Sequence, residues 1–282
     1  MLDNKHAQHD TLIFLHIPKT AGTSIRKIFE RFYDEKEIYP IYTKANNMND
    51  INDFKALSDA EKMKIKVFFG HVSFGLHNYI SKPCHYVTIL RDPVEKILSL
   101  FSHISNIKTH PYYERVKSSK FSISEFVKSG MAIETDNHQT RVIAGIDPEF
   151  GMCTSAILET AEENIKKYFS VVGLSEYFDE SVLLMKKAFG WRSPVHLSLK
   201  RMIYGGAGAP SPFYEKANVS INRLRIEDLS ADEINTITKY NELDIELYNY
   251  AEKLLKDKIR QQGDSFMHEL DKLRRLRNSN DK

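Results

Sequence analysis

Four short apolar runs, Thr11–His16, Val67–Phe69, Tyr86–Leu90 and Val171–Leu174, constrain this chain more than any other feature. Near-continuous apolar runs of this length suit strands buried on both faces, as in parallel sheets. Helical patterns stand between them. After the first run Ile25, Ile28, Phe29 and Phe32 fall at i, i+3, i+4 and i+7, which lays one apolar stripe along a helix. Val94, Ile97, Leu98 and Phe101 repeat that spacing after the third run. After the fourth, "SEYFDESVLLMKKAFGW" predicts a helix capped at Ser175 and stopped near Gly190. Strand then helix, several times over, predicts an α/β fold with a mostly parallel sheet flanked by helices. Ligands in such sheets sit at the C-terminal strand ends, near the point where strand order reverses.

The polar turns at those ends are therefore the places to look. The first run leaves through Lys19-Thr20-Ala21-Gly22-Thr23-Ser24 into a helix. A helix start offers unpaired N–H groups and the positive end of the macrodipole, glycine permits close approach, and Thr and Ser add donors. The six residues read equally as a phosphate cradle or as an ordinary helix start capped by Thr20 or Thr23. They are not the nucleoside-triphosphate P-loop, whose lysine follows its second glycine; Lys19 precedes Gly22. The third run ends in Arg91-Asp92-Pro93. An acid after a strand suggests a magnesium ligand, but the Asp-Pro pair favours a helix cap with Pro at the first helical position. Arg91 at the strand end suits a phosphate, or a surface ion pair, and Ser99 lies on the polar side of the helix that follows.

Bulk properties exclude several classes. Lys and Arg number 40 against 38 Asp and Glu, so there is no general pull toward nucleic acid and any anion site is local. The two cysteines, Cys84 and Cys153, lack metal-ligand spacing and suit a reduced protein. The polar N-terminus lacks a signal-peptide centre, and no apolar run approaches the ~20 residues that span a bilayer. The expectation is a soluble, cytoplasmic chain with no transmembrane segment.

Toward the C-terminus, "YGGAGAPSP" at 204–212 predicts an irregular loop. A long helix follows, with Leu243, Leu247, Tyr250 and Leu254 on one stripe. We expect one α/β domain over 1–258 and a charged helical extension over 259–282. Phe266, Leu270 and Leu273 recur at helical spacing in that extension, read here as a solvated terminal helix rather than a partner-binding one. It permits a homo-oligomer without requiring one.

Two of these motifs carry a resemblance. "FLHIPKTAGTSI" is similar to the 5′-phosphosulfate-binding motif of carbohydrate sulfotransferases, and "RDPVEKILSLF" resembles their 3′-phosphate-binding motif. "FFGHVSFG", "DNHQTRVIAG", "VVGLSEYFDESVLLMKKAFGW" and "NELDIELYNYA" resemble later signatures in order, so the likeness spans roughly 11 to 255. In pattern the heparan and uronyl (2-O-type) enzymes and their bacterial counterparts look nearest. The resemblance implies the P-loop-nucleotide-kinase-like sulfotransferase fold. It also implies transfer of the sulfuryl group of 3′-phosphoadenosine 5′-phosphosulfate (PAPS) to a hydroxyl, on a glycan or glycolipid acceptor, without a metal. Carried over, Lys19, Thr20, Gly22, Thr23 and Ser24 would hold the 5′-phosphosulfate, with Lys19 stabilising the leaving phosphate. Arg91 and Ser99 would hold the 3′-phosphate. The animal enzymes carry an N-terminal membrane anchor and disulfides, which points here to a soluble bacterial-type member.

A general base would take the acceptor's proton, and histidine, with an ordinary pKa near ~6.5, is the natural one. His71, just past the second run, stands in the family's Gly-His context and is the expected base; His77 is a second histidine that would touch acceptor. His16 would shape the donor loop. Asn137, Gln139 and Arg141 would lie near the acceptor cleft, with a capped surface helix as the plainer reading. The 205–212 loop would be a lid, with Lys200 or Arg201 reaching the 3′-phosphate. Two other readings stand beside this one: a P-loop-type nucleotide kinase, and a non-catalytic nucleotide-binding protein of the same fold.

Overall fold

The computed structural model describes residues 10–42, 50–118, 120–191 and 224–278. Its sheet holds β1 (Thr11–Leu15), β2 (Ile38–Ile41), β3 (Val67–Gly70), β4 (Cys84–Leu90) and β5 (Phe169–Leu174). They run parallel throughout, in the order β2-β3-β1-β4-β5. The four apolar runs are four of these strands, and β1 and β5 bury every residue. β2 was not expected. Its Ile38-Tyr39-Pro40-Ile41 breaks the apolar run with a proline, which an edge strand tolerates because one side of its ladder is unused.

The helices are α1 (Gly22–Phe32), α2 (Ile51–Ala56), α3 (Asp59–Lys62), α4 (Pro93–Asn106), α5 (Tyr113–Ser118) and α6 (Ile123–Lys128). They continue with α7 (His138–Ala144), α8 (Ser155–Tyr168), α9 (Phe178–Phe189), α10 (Ala231–Tyr240), α11 (Glu242–Arg260) and α12 (Asp264–Asn278). Ile25, Ile28 and Phe29 turn the α1 stripe into the main core around the sheet. A smaller core gathers Ile97, Leu98, Phe126 and Ile237 from α4, α6 and α10. Asp92 caps α4, accepting from the Glu95 N–H at 2.9 Å, with Pro93 at the first helical position. Among the described residues, no helix is long and apolar enough to cross a membrane.

Helix α7 has six of its seven residues buried, so its free N–H groups must be met by protein. Asp244, in the first turn of α11, accepts from the Gln139 N–H at 3.1 Å and from the Thr140 N–H and hydroxyl at 2.7 and 2.8 Å. Asn137, the residue before α7, returns the service: its Oδ1 accepts from the Leu243 and Asp244 N–H groups at 2.9 and 3.2 Å. Each helix start is capped by a side chain from the other.

Two expectations are corrected here. Ser175 does not cap α9: a short 3₁₀ turn (Ser175–Tyr177) precedes that helix, and the hydroxyl donates to the Leu90 carbonyl at 3.1 Å. The C-terminal helix is not a solvated one. Phe266, Leu270 and Leu273 are buried in the main core, and Lys186 and Glu180 of α9 pair with Glu269 and Arg274 of α12. Leu270→Ala should therefore cost about 2–5 kcal/mol, as buried leucine truncations do. In urea unfolding, a change within about 0.5 kcal/mol, the usual size at solvated positions, would return α12 to solvent.

Candidate active site

Neighbours β1 and β4 send their chains in opposite directions, β1 on to β2 and β4 on to β5, which makes the gap between them the crevice of this sheet. The loop after β1 carries Lys19 and Ala21, both at φ 70°. Left-handed backbone costs a residue with a Cβ roughly 1–3 kcal/mol, and it is how turns form concave anion nests. Helix α1 then begins with no side-chain cap and no acid in its first turn, where Gly22, Thr23 and Ser24 stand. Gly22 is required by packing: a Cβ there would lie 1.8 Å from the His16 ring. Thr20 departs from expectation, since its buried hydroxyl turns inward to donate to the Ile17 carbonyl at 2.8 Å.

Arg91 follows β4 and closes the crevice. Its guanidinium donates to the Lys19 carbonyl at 3.1 Å and to Glu95 at 2.9 Å, so the two loops expected to hold one ligand are joined directly. Gln139 fixes its backbone: the side-chain carbonyl accepts from the Arg91 N–H and the amide donates to the Arg91 carbonyl, both at 2.9 Å. Ser99 lies on α4 two turns on, and His103 follows four residues later on the same face.

Strands β2 and β3 supply the other wall. Gly70 lets β2 pass so close that a Cβ would stand 1.7 Å from the Ile41 carbonyl oxygen, the oxygen that accepts from the His71 N–H at 3.0 Å. The His71 ring lies tilted against His16 (centroids 4.7 Å) and edge-on to Tyr42 (4.9 Å). Its edge is open to solvent, yet the crowded ring is held below the ordinary histidine pKa by desolvation, with Glu134 pulling the other way. His16 is pushed down to about 3 by burial and by positive charge at His71, Arg26 and Lys19. His103 falls to about 4 through burial, Lys19 and His110, whose ring centroid lies 5.8 Å away.

Three of the four expected acceptor residues are taken up by scaffold hydrogen bonds, and the fourth, His77, is half-buried with one ring nitrogen engaged. Asn137 caps α11, and Gln139 serves Arg91. Arg141 is 2% exposed, with its guanidinium spent on Asp136, Asp147 and the carbonyls of Pro148 and Glu149. His77 has its Nδ1 2.9 Å from the Tyr86 hydroxyl, and its ring packs on Tyr168. The 205–212 loop, Lys200 and Arg201 lie outside the described residues. Sequence reasoning missed Tyr42, Glu134, His103 and His110. The i, i+4 spacing from Ser99 was the available signal for His103; Tyr42 was hidden with its strand, and Glu134 and His110 sit in turns without periodicity.

A nucleotide-type anion crevice beside a neutral histidine is the class of site this fold defines. The family model for galactose-3-O-sulfotransferases matches residues 3–282, and the chain belongs to that family. The carbohydrate-sulfotransferase type read from the motifs holds. Galactose-3-O-sulfotransferase 3 of Homo sapiens is 23% identical over 257 residues, covering 86% of this chain and 56% of that protein. Heparan-sulfate 6-O-sulfotransferase 1-B of Danio rerio is 26% identical over 216 residues, covering 67% and 46%. Galactosylceramide sulfotransferase of Bos taurus is 23% identical over 199 residues, covering 64% and 45%. The chain thus spans about half the length of the curated relatives it matches. Mouse sulfotransferase SULT7A1 complexed with PAP superposes with a TM-score of 0.44 at 14% identity, over 93% of this chain and 88% of that one.

The histidines set a pH dependence of stability. Their folded pKa values lie below the unfolded ~6.5, so the unfolded state binds more protons as pH falls. Stability is complete above about 6.5 and declines as pH drops through the window toward 4 and 3. Unfolding midpoints between pH 7 and 5, above the carboxylate range, should fall with pH, and His103→Gln should flatten the slope. An unchanged slope in that variant would mean that His103 titrates normally.

Proposed function

We propose that the protein is a sulfotransferase that moves the sulfuryl group of PAPS to a hydroxyl of a glycan or glycolipid. The observation that carries this is the joined crevice: an acid-free, uncapped α1 start bonded through the Lys19 carbonyl to Arg91, with His71 on the neighbouring strand end. The family, and relatives named for galactose and heparan sulfate, support a carbohydrate acceptor. Free thiols at Cys84 and Cys153 suit the cytoplasm as the place of action.

When bound, the donor supplies a sulfuryl group whose bond to the 5′-phosphate oxygen breaks as the acceptor oxygen bonds sulfur. The Lys19 ammonium, the N–H groups of Gly22 and Thr23 and the Ser24 hydroxyl meet the charge released on the phosphate, while the Ser24 N–H donates to the Ala21 carbonyl at 3.0 Å. Arg91 and Ser99 hold the 3′-phosphate. His71, neutral at pH 7 because desolvation lowers its pKa, takes the proton from the acceptor hydroxyl. Glu134 lies within electrostatic reach and favours the imidazolium that forms. His16, held neutral beside it, adds no positive charge to oppose that proton.

Thermal unfolding tests the donor. The desulfated product, 3′-phosphoadenosine 5′-phosphate (PAP), at a hundred times its Kd should add about 2.7 kcal/mol, and Mg-ATP should add nothing. Stabilisation by Mg-ATP alone would sink the reading. In turnover, Lys19→Ala and His71→Ala should each lower kcat by about 10²–10³-fold without unfolding the chain.

Gln139 separates donor from acceptor roles. Gln139→Leu removes the side chain that holds the Arg91 N–H and carbonyl, and should weaken PAP binding about tenfold while acceptor KM holds. A raised acceptor KM with normal PAP affinity would place Gln139 on the acceptor after all.

A further inference from the structure

Beside His71 opens a cleft of about 380 Å³, between α2 and the segment that follows β3. That volume lies at the small end of the roughly 300–1,000 Å³ of small-ligand pockets. His71 stands among its lining residues, with Ser73, Asn78, Tyr79 and Lys55. No carboxylate lines it among the described residues. Tyr79 is 45% exposed, a large aromatic surface left toward water. The Lys55 ammonium sits 4.7 Å from the centre of that ring. Facing no carboxylate there, it is held by the ring's negative face, a weak hold that an anion readily outcompetes.

The functional reading above puts the reacting hydroxyl at His71, and this inference rests on it. A sugar there extends along this cleft, which His71 lines, toward Tyr79 and Lys55. We propose that this cleft is the acceptor subsite and that Lys55 and Tyr79 select glycans carrying an anionic sugar, carboxylate or sulfate ester, beside the one that is sulfated. Lys55 moves from the ring to the anion, and the freed ring face receives the polarised C–H bonds of the pyranose. Ser73 and Asn78 offer neutral hydrogen-bonding groups to the hydroxyls between. Nothing in this arrangement favours a neutral glycan over an acidic one.

The test uses the full chain saturated with PAP and three galactose disaccharides, whose second sugar is glucose, glucuronate or glucose 6-sulfate. Binding is read by calorimetry, so the result does not depend on turnover. The acidic pair should bind about three- to fivefold tighter than the neutral one, the scale of an exposed ion pair. Lys55→Gln should erase that preference and leave the neutral disaccharide and PAP unchanged. Tyr79→Ala should weaken all three alike. Tighter binding of glucuronate than of the sulfate ester, or the reverse, names the anion. Equal binding of neutral and acidic disaccharides, no binding of any, or a preference that survives Lys55→Gln overturns the proposal. Failure of PAP to stabilise the protein would instead strike the sulfotransferase reading, and is seen separately.

Discussion

Two helix starts face each other across the core, and each is capped by a side chain from the other. Asp244 of α11 takes the first N–H groups of α7, and Asn137 before α7 takes those of α11. A buried N–H without a partner costs about 1–3 kcal/mol, so separating this pair exposes several such costs at once. The site depends on that clasp. Gln139, one residue into α7, reaches from it to both backbone groups of Arg91, and Arg91 reaches on to the Lys19 carbonyl. A chain of hydrogen bonds thus runs from the C-terminal helices to the loop after β1, and fixes the crevice before any ligand arrives.

Charge around that crevice is arranged by exclusion. Four imidazoles stand around the crevice, and burial holds His16, His71, His103 and His110 below the ordinary histidine pKa, helped at His16, His103 and His110 by neighbouring positive charge. The cations that remain at the crevice include Lys19 and Arg91, with Arg26 close enough to act on His16. A phosphate meets fixed lysine and arginine charges rather than titrating imidazoles, which fits a chain whose overall charge is only +2. Neutral imidazole is also the form that accepts a proton, so the desolvation that spares the phosphate from competing cations keeps His71 ready as a base.

The sheet was legible because its strands are buried on both faces, and burial writes itself as an unbroken apolar run. β2 escaped, since an edge strand of four residues with Pro40 in it has no such run. The site was half legible. Residues at strand ends, Lys19, Arg91 and His71, stand where their place in the pattern put them. The polar stretch "DNHQTR" misled, because a buried cap and a ligand-binding group need the same residue types. Asn137 and Gln139 have their hydrogen bonds taken by partners far along the chain, and Arg141 by the turns on either side of its helix, and a single sequence does not print those partners. The amphipathic α12 misled in the opposite direction: its many charges announced solvent, while three apolar residues on one face found α9.

An uncapped helix start is not a site by itself. α8 and α9 also begin without a side-chain cap, and α8 has no acid in its first turn either. What separates α1 is the coincidence of independent features at its start. It opens at the sheet's crevice, it follows two left-handed residues that have no glycine to excuse them, and Arg91 is bonded to its entry loop. Each feature has a structural explanation taken singly. The left-handed backbone at Lys19 and Ala21 is kept although glycine would adopt it more easily, and at Ala21 the methyl packs against the main core. Strain of that kind persists where the rest of the fold over-determines it, and here the hydrogen bonds that do so are those that lead back to the clasped helices.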